Sequence, residues 1–178
     1  MQTGGQPHVP SMDHLWSPWR YRYVSQSIPD EACLFCRIAA AATAEDDKTN
    51  HVVLRAERNF VLLNLYPYTS GHLMIAPYAH VATLQESEPE TLEEMMRLAQ
   101  RVESALRAVY HPGGVNVGIN IGKAAGAGVE QHIHMHVLPR WLGDVNFMTA
   151  VGETRVLPED LDTTWEKLRN VLAADKRG

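Results

Sequence analysis

The chain is expected to fold as an α+β domain: a five-stranded antiparallel sheet with one long helix and one C-terminal helix against one face. Three observations predict this. Five β-rich segments recur along the 178 residues, several joined by turns too short for a parallel crossover. One long run repeats apolar residues at helical spacing. No internal repeat or linker marks a second domain.

The elements follow in order. Residues 1–14 are rich in Gly, Pro, Gln and Ser with nothing to bury, so they read as a mobile tail ahead of a single domain over 15–178. Order is expected to begin at Leu15-Trp16-Ser17-Pro18-Trp19-Arg20. The alanine-rich stretch 39–42, followed by Asp46, Asp47 and Lys48, suggests a short helix ending in a polar loop. Strands are predicted over 51–55 and 60–64, paired as a hairpin through the polar turn Ala56-Glu57-Arg58-Asn59. A third strand, 72–76, is approached through Pro67-Tyr68-Thr69-Ser70-Gly71 and stopped by Pro77.

The long helix comes next. Leu92, Met95, Met96, Ala99, Val102, Leu106 and Val109 form one apolar stripe. Ser87 with Glu90 predicts a capping box, and His111-Pro112-Gly113-Gly114 ends the helix. Strands over 115–121 and 132–138 follow, joined by a glycine-rich loop, 122–129. A last helix is predicted over 158–174, with Leu161, Trp165, Leu168 and Leu172 on one side. The acidic pairs Asp46-Asp47 and Glu93-Glu94 read as solvated surface.

Composition excludes several classes of function. With 45% hydrophobic residues the chain has enough apolar material for one core. The net charge of −5 gives no basic footprint for a nucleic-acid polymer. No apolar run approaches the roughly 20 residues of a membrane span, and the first residues lack a signal-peptide pattern, so a cytoplasmic chain without membrane contact is expected. Two cysteines, Cys33 and Cys36, make no disulfide framework.

The chemistry concentrates in Glu130-Gln131-His132-Ile133-His134-Met135-His136-Val137. In a strand His132, His134 and His136 share one face, and Ile133, Met135 and Val137 the other. The apolar side goes to the core and the imidazoles to a cleft. Four strand residues span about 13 Å, too far for one small ion to use all three rings, so at least one is left for chemistry. Glycines 122, 126 and 128 before them allow backbone N–H groups to converge on phosphate oxygens. A neutral histidine can then act as a nucleophile at phosphorus while a neighbour donates a proton to the leaving oxygen. Cys33-Leu34-Phe35-Cys36 admits a zinc half-site, a redox dithiol or two packed side chains. The stretch 25–32 does not read as the strand that a thioredoxin-like motif would follow.

At these residues the chain resembles the histidine-triad (HIT) family, whose pattern is His-x-His-x-His followed by two apolar residues. The similarity runs from Cys33 to Trp141 and includes Asn64, Ser70-Gly71-His72-Leu73, Asn120 and Pro139-Arg140. The flanks at 15–20, 64–68 and 139–147 look like the bacterial diadenosine tetraphosphate phosphorylase branch. The resemblance implies a HIT-like fold and a homodimer. His134 would be the nucleophile that carries the nucleotidyl group, His136 the phosphate and leaving-group contact, and His72 the support. Asn64 would bind the ribose, Asn120 would lie near the phosphates, and Gly126, Ala127, Gly128 and Val129 would supply backbone donors. By ordinary turn chemistry Asn64 could instead cap the turn before Pro67, Asn120 could satisfy a strand end, and His72 could be a core histidine.

It also implies a structural Zn²⁺ on Cys33, Cys36, His80 and His132. The implied reaction is cleavage of a dinucleoside polyphosphate with inorganic phosphate as acceptor. The rivals are a hydrolase of dinucleoside polyphosphates or nucleoside phosphoramidates, and a non-catalytic nucleotide-binding protein. The loop Gly126-Ala127-Gly128-Val129-Glu130-Gln131 departs from relatives in having one extra residue and no polar side chain there, which leaves the acceptor open. Trp16, Trp19, Tyr66 and Tyr68 could sandwich an adenine or serve core or dimer contacts.

Overall fold

A computed structural model describes residues 33–144 and 158–175. The expected tail, the order beginning at Leu15, Trp16 and Trp19, and the flank from Val145 lie outside the described residues. The elements are α1 (Leu34–Ala40), α2 (Ala44–Thr49), β1 (Val52–Arg55), β2 (Asn59–Leu63), β3 (Leu73–Pro77), α3 (Pro89–Tyr110), β4 (Gly114–Ile119), β5 (Met135–Arg140) and α4 (Leu161–Ala174). The strands form one five-stranded sheet in the order β1-β2-β3-β5-β4, antiparallel at every pairing.

Strand alternation divides the core in two. On one face Val53, Val61, Leu63, Leu73, Ile75 and Val137 pack against Met95, Leu98, Val102 and Leu106 of α3 and Trp165, Leu168 and Leu172 of α4. Each such side chain, fully buried, contributes about 1.5–3 kcal/mol. On the other face Val52, Phe60, Leu62, Met74 and Ala76 pack against Phe35 and Ile38 of α1. Helices therefore cover both faces, where the sequence predicted one. The second cover is a seven-residue helix, too short to be stable alone, so the periodicity that reveals α3 gives no comparable signal for α1.

Arg55 holds that short helix. Its Nη2 donates to Ile38 O at 3.0 Å and Ala41 O at 2.6 Å, and its Nε to Asp47 Oδ1 at 2.8 Å. A cation thus meets the carbonyls that the end of α1 leaves unpaired. The expected polar loop after the alanine run is α2, started by a reciprocal pair. Asp46 N donates to Thr43 Oγ1 at 3.1 Å, and Thr43 N to Asp46 Oδ2 at 3.1 Å. Asp46 is thus a cap, its pKa lowered chiefly by the Thr43 hydroxyl, while Asp47 pairs with Arg55.

Other expectations need correction. Ser87 makes no capping box: its hydroxyl donates to Thr83 O, and the N-cap of α3 is Glu88. Pro89 is the cause, since it holds the residue before it extended, at φ −63° and ψ 139° for Glu88. Met96 is 60% exposed and leaves the apolar stripe, whereas Leu98 and Ala105, not counted in it, are buried. Glu94 is not solvated surface. Its carboxylate accepts from Glu57 N at 3.1 Å, Arg58 N at 2.9 Å and Asn59 Nδ2 at 2.8 Å, tying the β1–β2 turn to α3. The helix ends where expected, with His111 in the left-handed region at φ 46°.

The first four strands differ from their predicted bounds by one or two residues. The fifth differs more: β5 begins at Met135, not His132. Pairing to β3 ends at Ile75 opposite Met135. Before that point Ile133 N donates instead to Val81 O at 2.7 Å, so the chain leaves the ladder.

Candidate functional site

The cleft is built on one row of the sheet. Val52 faces Leu62, Leu62 faces Met74, Met74 faces His136 and His136 faces Gly118. Leu62 and Met74 form an apolar floor ending in an imidazole; Leu34, Phe35 and Ile38 of α1 form the roof. Asn64, Tyr66, Tyr68, Gly126, Gly128, Val129 and His134 complete the walls. Gly71, at φ +79°, brings the chain under α3 just before His72. A Cβ there would meet Leu106 Cδ2 and Tyr110 Cε2 at 3.0 Å.

Three imidazoles meet at one end. His134 and His136 have ring centroids 4.9 Å apart, and His72 and His136 5.1 Å. Hydrogen bonds assign their protons. His134 Nδ1 lies 2.9 Å from His132 O, which can only accept, so Nδ1 carries the hydrogen and Nε2 keeps its lone pair. Burial pushes the His134 pKa below the ordinary histidine value, with the bond to His132 O opposing, so the ring is neutral at pH 7.

His72 Nδ1 receives Tyr68 N at 3.2 Å and faces Asn64 Nδ2 at 3.4 Å, so it is the acceptor. Its Nε2–H then donates to His136 Nδ1 at 3.0 Å. In the neutral state this leaves the hydrogen of His136 on Nε2. One ring therefore has a lone pair on Nε2 and its neighbour a proton on Nε2. Phe35 supports the first, 4.9 Å from His134, and Tyr68 stacks beside the second, 6.4 Å from His136. Neither support was assigned from sequence, although Phe35 lies inside the Cys-Leu-Phe-Cys stretch already singled out.

Cys33, Cys36, His80 and His132 come together beside the cleft, their donor atoms all within 4.8 Å of one another. His132 Nδ1 is 3.3 Å from Cys33 Sγ and 3.7 Å from Cys36 Sγ, and His80 Nδ1 is 3.2 Å from Cys36 Sγ. Tetrahedral zinc, with bonds of ~2.0–2.3 Å, spaces its ligands roughly 3.3–3.8 Å apart. His132 Nε2 donates to Pro77 O at 2.9 Å, which turns Nδ1 toward the thiols. Burial, and then Cys33 beside it, push the Cys36 thiol up. The four residues fit a metal ion.

Other assigned residues fare differently. Asn64 lines the cleft, yet its Oδ1 also accepts Tyr66 N at 2.9 Å, the turn-capping alternative. Ala127 is buried and does not line the cleft. Its N–H donates to Gly122 O at 3.3 Å, and that of Gly126 to Lys123 O at 2.9 Å. Those two amides are engaged within the loop, closed on the 3₁₀ turn Lys123–Ala125, so the expected row of four donors reduces to Gly128 and Val129. Asn120 is likewise absent from the lining. Glycine content signals that a loop can turn tightly, but not which amides the turn consumes.

The fold and these rings define a class: an antiparallel sheet with a histidine-lined cleft next to a cluster of two thiols and two imidazoles. The HIT domain model matches residues 45–141, and the chain belongs to the HIT family. A Mycobacterium tuberculosis protein named AP-4-A phosphorylase is 34% identical over 168 residues, spanning 92% of this chain and 84% of that protein. A Dictyostelium discoideum bis(5'-adenosyl)-triphosphatase is 30% identical over 93 residues, 52% of this chain and 62% of that one. The crystal structure of a Zn-bound histidine triad family protein from Mycobacterium smegmatis superposes with a TM-score of 0.65 at 33% identity, covering 80% of this chain and 94% of its own.

Proposed function

We propose that the chain is a nucleotidyl transferase that cleaves dinucleoside polyphosphates, converting diadenosine tetraphosphate and phosphate to ATP and ADP. The observation that carries this is the opposed pair of tautomers: a lone pair on His134 Nε2 beside a proton on His136 Nε2. His134 attacks the α-phosphorus, forming a P–N bond as the P–O bond to the bridging oxygen breaks. The leaving ATP oxygen takes the proton of His136 Nε2. Phosphate then attacks the same phosphorus, returns a proton to His136, and leaves as ADP. Asn64 is assigned to the ribose, and Gly128 and Val129 to phosphate oxygens.

The relative named AP-4-A phosphorylase supports this acceptor. The engaged amides of Gly126 and Ala127, and the relative named a triphosphatase, favour water as the second reading. Incubation with and without phosphate separates them. ATP and ADP formed only with phosphate supports phosphorolysis; AMP and ATP formed without it refutes it. His134→Ala with undiminished turnover would remove the nucleophile from the mechanism.

Cys33, Cys36, His80 and His132 are assigned to a structural zinc, an assignment supported by the Zn-bound relative. Bound there, the metal supplies cross-linking of the start of α1 to the residues before β5, away from the reacting phosphorus. A homodimer is also proposed. β4 is the sheet edge, with Asn116, Val117 and Gly118 exposed, and α3 exposes Met96. Among the described residues no helix is long and apolar enough to cross a membrane.

A further inference from the structure

Granted the nucleotide cleft proposed above, on which this assignment rests, we infer that Asn50 is a specificity-determining residue, reading the 6-position of a purine base and selecting 6-amino over 6-oxo purines. The row His136, Met74, Leu62, Val52 crosses four strands, β5 to β1. At ~4.8 Å per strand it is about 14 Å long. Asn50 lies two residues before Val52, at the end of the cleft away from the histidines, and it lines the cleft with Thr49 and Arg37. A nucleotide with its α-phosphorus at His134 lays its base on the apolar floor of Met74 and Leu62, under Phe35 and Ile38. The edge of the base then points to Asn50.

The Asn50 amide is held in one orientation. Its Nδ2 donates to Asp46 O at 2.9 Å, the same carbonyl that receives Asn50 N at 2.9 Å. The other end of the amide, Oδ1, can only accept. It is a fixed acceptor at the base edge, suited to an exocyclic N–H and opposed to a carbonyl oxygen. Arg37 is also there but exposed, on a long flexible stem that can swing away from an unsuitable group. A pinned group discriminates because it cannot turn aside; a mobile one adds affinity to either base.

AMP and IMP test this, since the 6-substituent changes from a donor to an acceptor, with N1 changing accordingly. Binding of each to the full-length protein is measured by calorimetry, independently of turnover. AMP is expected to bind about tenfold more tightly than IMP, the scale of one neutral hydrogen bond. Asn50→Ala should bring the ratio near one. Asn50→Asp, which keeps an acceptor but lacks the Nδ2–H that pins it to Asp46 O, should weaken the preference as well, and circular dichroism of both variants guards against a mere loss of α2. Equal binding of AMP and IMP by the native protein overturns the assignment, as does a ratio unchanged in Asn50→Ala, or binding of neither nucleotide. Selective binding of AMP without turnover of any dinucleoside polyphosphate would refute the catalytic reading and leave the base assignment standing.

Discussion

Replacing His72 with Phe keeps a ring between Tyr68 and His136 but deletes both nitrogens. Two consequences can be worked from the geometry. His136 Nδ1 loses the donor at 3.0 Å that keeps its proton on Nε2. A neutral hydrogen bond of this kind is worth about 0.5–1.5 kcal/mol, so the tautomer bias, and with it the rate of leaving-group departure, should fall roughly 2- to 13-fold. Tyr68 N loses a half-buried hydrogen bond at 3.2 Å, which costs about 0.5–1.5 kcal/mol of stability. The assay is kcat/KM for a series of aryl esters of AMP whose phenols differ in acidity. If His72 acts through the His136 proton, the loss grows as the phenol becomes a poorer leaving group. A loss uniform across the series would refute the relay and leave His72 a purely structural histidine.

Acid should inactivate the enzyme late. Burial lowers the His134 pKa, so the acid limb of kcat/KM should lie below the ordinary value near 6.5; a limb at or above it contradicts the assigned neutral nucleophile. The same shift bears on stability: the unfolded chain takes up the proton first, so the contribution is complete above about pH 6.5 and is lost as pH falls through the folded value, as acid titration of urea midpoints would report. Cys33→Ser should lose bound metal in elemental analysis and melt several degrees lower, whereas undiminished metal content would refute the ligand set. Glu94→Ala should cost about 1–2 kcal/mol in urea unfolding, chiefly because one N–H of buried Asn59 Nδ2 loses its acceptor while the other keeps Thr91 O and the two exposed turn amides turn to water; a change below about 0.5 kcal/mol would mean that water replaces the carboxylate at Asn59 too.

How far the sequence could be read depends on the range of each interaction. The five strands, α3 and α4 announce themselves through local periodicity and turn residues, and each lies within three residues of its expected bounds. The His-x-His-x-His spacing brings alternate rings to the cleft side even though the strand begins only at Met135. Hydrogen bonds between distant segments left no such trace. Glu94 reads as surface from sequence because a charge pair on a helix looks solvated until the β1–β2 turn is seen against it. Ala127 reads as a phosphate donor from sequence because nothing local reveals that its amide already has Gly122 O. The proton positions on His72, His134 and His136 depend on a carbonyl and two turn amides, which residue types alone cannot specify.

The short helix α1, which carries the cleft's roof, is fastened at two places by unlike chemistry. Near Cys33 and Cys36 it is tied to His80 and His132; at its other end Arg55 grips Ile38 O, Ala39 O and Ala41 O. A chelator reaches only the first tie. Loss of the proposed metal should therefore turn a fixed roof into a flap hinged at Arg55. Nucleotide residence time would shorten well before the sheet lost its fold, and hydrogen exchange along 34–40 would quicken from the cysteine end first.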